Sequence, residues 1–135
     1  MNFAIFFFLI LCGLSFGYAY GYGEISTSNF KIVNTLGEEI KSPVVEQQLN
    51  LQTSLTNISK QEIDWVYIVQ IIDANGAIVD LNFSVGSLVR NQTLTTALFW
   101  TPQNYGTYKI ETYVWNNLRD IDALAPKSTF TITVT

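Results

Sequence analysis

Beyond Ser28 this chain never sustains a helical period. Short runs rich in leucine, β-branched and aromatic residues are interrupted about every ten residues by Gly, Asn, Asp or Pro, the spacing expected of a sandwich of antiparallel strands. The first run is Phe30-Lys31-Ile32-Val33, followed by a turn at Gly37-Glu38-Glu39 and then Ile40, where Pro43 marks an edge strand because it has no amide to give to a ladder. Leu49, Leu51, Thr53 and Leu55 alternate with Gln48, Asn50, Gln52 and Ser54, so one face of that strand is buried. Residues 64–72 (DWVYIVQII) form the longest apolar run, and Asp73-Ala74-Asn75-Gly76 supplies the positive φ of a tight hairpin leading back through residues 78–83. Residues 86–92 read as a corner at which the chain changes sheets. Runs at 93–100, 106–115 and 129–134 bring the total to about seven.

The predicted fold is all-β: a seven-stranded immunoglobulin-like antiparallel β-sandwich over residues 29–135, preceded by a short linker at 22–28 and an N-terminal hydrophobic helix. Its core is expected from Leu49, Leu51, Leu55, Tyr67, Val69, Ile71, Leu98, Trp100, Tyr108, Ile110, Val114, Phe130 and Ile132. Tyr108, two residues after Gly106 at the start of the penultimate strand, has the position of a tyrosine corner, whose hydroxyl bonds back to the preceding loop.

The N-terminal segment sets the compartment. No charged side chain occurs from Asn2 to Gly23, and residues 3–16 (FAIFFFLILCGLSF) have the length of a secretory h-region. Small residues at Gly17, Ala19 and Gly21 offer cleavage after Ala19 or Gly21, which makes 1–21 a signal peptide. Alternatively the segment is an uncleaved membrane anchor, since about 20 uncharged residues just span a bilayer core. Either reading places the sandwich outside the cytoplasm, secreted or in the cell envelope, with membrane contact only through residues 3–22. Sequons at Asn57, Asn82 and Asn91 agree with that placement and mark glycosylation candidates.

Composition limits the chemistry. There is no histidine, and the single cysteine, Cys12, lies in the N-terminal apolar run. Imidazole and thiolate metal sites and the usual Ser-His or Cys-His nucleophiles are therefore excluded from the mature domain. A net charge of −4 without a basic run removes the attraction that dominates binding to phosphate backbones, so nucleic acid is not an expected partner. No cofactor is indicated. Asp120 and Asp122, with two asparagines in the 116–127 loop, are weak candidates for calcium, but their spacing matches no calcium motif.

Ala97-Leu98-Phe99-Trp100-Thr101-Pro102, followed by Tyr105-Gly106-Thr107-Tyr108-Lys109-Ile110, resembles the apolar-x-Trp-x-Pro and Gly-x-Tyr-x-apolar hallmark of CARDB-type and fibronectin-III-like domains of archaeal and bacterial cell-surface proteins. The openings at residues 30–37 and 67–76 are similar to small exported immunoglobulin-like proteins of ammonia-oxidising archaea. The resemblance implies the fold and a surface location; its motifs are core and turn residues and carry no activity.

Strand alternation puts Val66 and Ile68 on the face opposite Tyr67 and Val69, and Tyr113 and Trp115 on the face opposite Ile110 and Val114. If the two strands are neighbours, these four residues form an apolar outer face suited to a protein partner. The expectation is a non-enzymatic module acting in protein-protein contact, adhesive or structural, with other envelope proteins or copies of itself as partners. Two alternatives stand beside it: an accessory extracytoplasmic subunit of a membrane complex held by an uncleaved N-terminal helix, and a soluble binder of glycans or small ligands.

Overall fold

The computed structural model describes residues 23–135. The expected N-terminal helix and the signal or anchor reading of residues 1–21 lie outside the described residues.

Seven strands follow in order: β1 (Ile25–Val33), β2 (Leu49–Asn57), β3 (Ile63–Ile72), β4 (Ile78–Leu88), β5 (Thr93–Trp100), β6 (Gly106–Trp115) and β7 (Ala123–Val134). They form a three-stranded sheet, β1-β2-β5, facing a four-stranded sheet, β4-β3-β6-β7, and every pairing is antiparallel. Leu49, Leu51 and Leu55 of β2 meet Trp65, Tyr67, Val69 and Ile71 of β3 and Ile110 and Val114 of β6 between the sheets. At about 1.5 to 3 kcal/mol for each fully buried large side chain, this layer stabilises the domain with no disulfide. Phe130 and Ile132 pack at its margin, half-buried, and the Phe130 ring stacks on Phe30 at 3.8 Å. The Tyr108 hydroxyl donates to the Asn104 carbonyl at 2.7 Å, which fixes the β5–β6 connection as the sequence predicts. The Asp73 turn also forms: Asp73 Oδ1 accepts from the Asn75 and Ala77 amides, and Gly76 takes φ 83°.

Four boundaries differ from expectation. β1 begins at Ile25, whose side chain is fully buried, so residues 25–28 are strand rather than linker. Residues 40–48 are not a strand. They cross the end of the sandwich, where Thr135 N donates to Pro43 O and Val45 N to Thr135 O, both at 3.0 Å, and Pro43 is buried in that clamp. β4 continues to Leu88, which confines the change of sheet to residues 89–92, where Asn91 adopts φ 65°. β7 begins at Ala123, which shortens the last loop to 116–122.

Candidate interaction face

Alternation along β3 sends Trp65, Tyr67, Val69 and Ile71 inward and Val66, Ile68 and Gln70 outward. Register then builds a grid on the outer face of the four-stranded sheet. Val66 lies between Val85 of β4 and Trp115 of β6, Ile68 between Phe83 and Tyr113, and Gln70 between Leu81 and Glu111. The Tyr113 and Trp115 rings lie 5.6 Å apart, inclined at 57°. Leu118 of the β6–β7 loop joins Ile68, Gln70, Leu81, Phe83, Tyr113 and Trp115 around a shallow cavity of about 450 Å³.

The four expected interface residues therefore meet on one face, but Val66 and Ile68 are only 4% and 7% exposed. This corrects their expected role, because the larger side chains of β4 and β6 close over the central strand. Contact surface comes instead from Leu81, Phe83 and Val85, which are 60%, 51% and 65% exposed. β4 is inverted relative to an ordinary edge strand. Its polar set, Asp80, Asn82 and Ser84, lies on the inward side opposite Ile71, Val69 and Tyr67, while its apolar set faces solvent. Alternation of Val79, Leu81, Phe83 and Val85 with Asp80, Asn82 and Ser84 is visible in the sequence; which set faces out depends on register.

Two contacts hold that register. A Cβ at Gly86 would come within 2.5 Å of the Trp65 ring, so the indole lies where only glycine lets it, and Leu88 is fully buried one turn of the pleat further on. A slip of one residue would remove both contacts. On the inward side, the Ser84 and Thr96 hydroxyls meet at 2.9 Å between the sheets.

A charged cluster closes one end of the face. Glu111, 6% exposed, lies 3.3 Å from Lys109 Nζ and 3.6 Å from Lys127 Nζ, and accepts a hydrogen bond of 2.5 Å from the Tyr113 hydroxyl. That bond, aided by the two ammonium groups, holds the Glu111 carboxyl below its ordinary range. The same bond, with burial, pushes the Tyr113 hydroxyl up to about 12. Lys127 Nζ also lies 6.0 Å from the centre of the Tyr113 ring.

The remaining candidates are dispersed. Asn57 is fully buried, and its Nδ2 donates to Gln61 O at 2.7 Å and Leu88 O at 2.9 Å, so the nitrogen that would carry a glycan is already engaged. This corrects its reading as a glycosylation site; Asn82 and Asn91 are exposed. Around Asp120 and Asp122, the asparagine oxygens serve the backbone: Asn116 Oδ1 accepts from the Asp122 amide, and Asn117 Oδ1 from those of Arg119 and Asp120. Among the described residues no group of three or more acidic, histidine or cysteine side chains could hold a metal ion. A second cleft lies beside Tyr108 and Trp100, where burial pushes the Asp80 carboxyl up.

No family model matches this chain, and no curated protein matches it in sequence. Solved structures do. The C-terminal domain of wzt superposes with a TM-score of 0.72 at 14% identity, over 86% of this chain and 76% of that one. The fold is the immunoglobulin-like β-sandwich. A CARDB domain from Pyrococcus furiosus, solved in complex with two metal ions, superposes with a TM-score of 0.58 at 17% identity over 85% of this chain and 96% of its own. A β-glucuronidase of Bacteroides uniformis matches with a TM-score of 0.64 at 12% identity, but this chain spans only 13% of that enzyme. At such identities the likeness is one of fold, and the glucuronidase shares one β-sandwich domain with this chain.

Proposed function

We infer that this protein is a non-enzymatic β-sandwich module on the extracytoplasmic side, secreted or held in the envelope, and that it works by protein-protein contact through the outer face of β4, β3 and β6. The inverted edge strand carries this reading: Leu81, Phe83 and Val85 expose a contiguous apolar strip beside Tyr113 and Trp115, although a shift of one residue would have turned the strip inward. Aromatic anchors on a rigid sheet are what interface energetics favour. The non-enzymatic part rests on the missing histidine, the position of the one cysteine, and a lone Asp80 in the second cleft.

A photo-crosslinking residue placed at Phe83 in cells that express the protein tests the reading, with one at Gln52 on the outer face of the other sheet as control. A covalent adduct of defined mass from Phe83 alone, lost when Leu81→Ser and Val85→Ser are added, is expected. Equal adducts from both positions, or none from Phe83, would overturn it. The small-ligand alternative rests on the cavity beside Tyr113 and Trp115, whose volume falls in the usual range for ligand sites. A saturable calorimetric titration with neutral oligosaccharides, abolished by Trp115→Ala, would favour it over a protein partner.

A further inference from the structure

The free edges of the two sheets belong to β1 and β5 in one and to β4 and β7 in the other. β1 is broken by a register shift between Ser28 and Lys31, where Asn29 takes φ 55°. β7 has Pro126 and Lys127 in its first half, two register shifts, and exposed threonines at 129, 131 and 133. β5 carries Thr93, Thr95 and Ala97 on its outer side ahead of a single large apolar residue, Phe99. β4 is blunted in none of these ways. It has no proline and no cation, its pairing with β3 is unbroken from Asp80 to Leu88, and its one charge, Asp80, stands at the end of that stretch.

The backbone of β4 is turned to receive another strand. Phe83 N donates to Asn82 Oδ1 at 2.9 Å, the side chain of its own neighbour. Phe83 and Ile68 are therefore a non-hydrogen-bonded pair, and the Phe83 amide and carbonyl point to the open edge. Ser87 and Asp64, a pair of the same parity, agree: their side chains meet in a hydrogen bond, as they do where paired backbones approach most closely. By alternation Leu81 and Val85 also turn their backbone groups outward. Among the described residues no other strand or loop backbone bonds to this edge. The residues that expose the apolar strip are thus the ones that offer free ladder groups.

We propose that this edge takes β4 of a second copy, antiparallel, about a two-fold axis at Phe83, so that two four-stranded sheets join into one continuous sheet. The inference names a partner for the face proposed above and rests on that reading. Self-complementarity selects the occupant. Residues 81–85, Leu-Asn-Phe-Ser-Val, read as apolar, polar, Phe, polar, apolar from either end. Pairing about Phe83 sets Leu81 against Val85 and Asn82 against Ser84 of the other copy, and the outward backbone groups of 81, 83 and 85 meet their like in reciprocal hydrogen bonds. Asn82 then releases the Phe83 amide to the Phe83 carbonyl of the other copy. Charge favours the same occupant. Asp80 is the only charged residue between Ile78 and Leu88, and β5 on the same flank has none, so nothing there selects a charged partner. This register places Asp80 opposite Gly86, about 20 Å along the strand from its counterpart, beyond the reach of repulsion in physiological salt.

A glycan on Asn82 would stand in this joint, so the full chain is produced without glycosylation and held in mild detergent. Sedimentation equilibrium is expected to give twice the mass of one chain. In a Cys12→Ser background, Phe83→Cys should form a disulfide-linked dimer on mild oxidation. Val79→Cys, of similar exposure on the same strand, should not, because the register holds it roughly 27 Å from its counterpart. Val85→Pro removes an amide that faces only the edge, and should reduce the mass to that of one chain while keeping the near-ultraviolet circular dichroism of the parent. A monomer from the parent chain, or a dimer that survives Val85→Pro and links equally from 79 and 83, would overturn the pairing. The photo-adduct at Phe83 in cells separates this from the wider reading: an adduct with a different protein sinks the pairing and keeps protein contact, and no adduct sinks both.

Discussion

Asn57 shows how one side chain can join three segments. Its amide nitrogen donates to the carbonyls of Gln61 and Leu88, and its oxygen accepts from the amide and hydroxyl of Ser59, so the β2–β3 loop is bound to the end of β4. Asn57→Asp keeps the shape but removes both donors and points a buried carboxylate at two carbonyl oxygens. A loss of about 3 kcal/mol is expected in urea unfolding at neutral pH, since unsatisfied buried groups cost about 1 to 3 kcal/mol each. Glycopeptide mapping should find Asn57 unmodified whatever occurs at Asn82 and Asn91. Glu111 and Tyr113 give stability a dependence on pH at both extremes. Because Glu111 titrates below its ordinary range when folded, its contribution is complete above that range and fades as pH falls through its folded value. Tyr113 shifts the other way, from 10.0 to about 12, so its contribution holds below pH 10 and is lost as pH rises from 10 towards 12. Glu111→Gln should flatten both arms in urea midpoints measured against pH, and ultraviolet titration should return Tyr113 towards its ordinary value.

Among the elements, β4 departs furthest from its expected reading. The alternation in β2, β3 and β6 was legible because one face of each carries unbroken large apolar residues, and Tyr108 was legible because its distance from Gly106 is local. β4 also alternates, but an edge strand above a three-stranded partner can direct either set outward. The deciding contacts, Gly86 beneath Trp65 and Leu88 in the core, join residues distant in sequence. For the same reason Val66 and Ile68 were assigned to the correct face but not to the correct depth: alternation gives direction, whereas burial depends on the neighbouring strands. The sequon at Asn57 is a local pattern whose burial is set by Leu88, 31 residues away. Gly86→Ala tests the pinning. The added methyl meets the indole at a distance no real contact allows, so a loss of about 1 to 3 kcal/mol is expected, as for overpacking elsewhere. Pairing it with Trp65→Leu should recover part of that loss, measurable as a coupling in a double-mutant cycle.

At the scale of the molecule, the two chain ends matter more than either sheet. β1 and β7 both start at the end of the sandwich where Gly23 N donates to Leu124 O, and β7 finishes at the other, where Thr135 is held on both sides by Pro43 and Val45. A pull between the start of β1 and Thr135 would run along the strand axes. Antiparallel ladder bonds lie across that direction, so the load would fall on many bonds of the β1–β2 and β6–β7 pairs together instead of opening them one at a time. Loaded in this way the domain is a rigid strut.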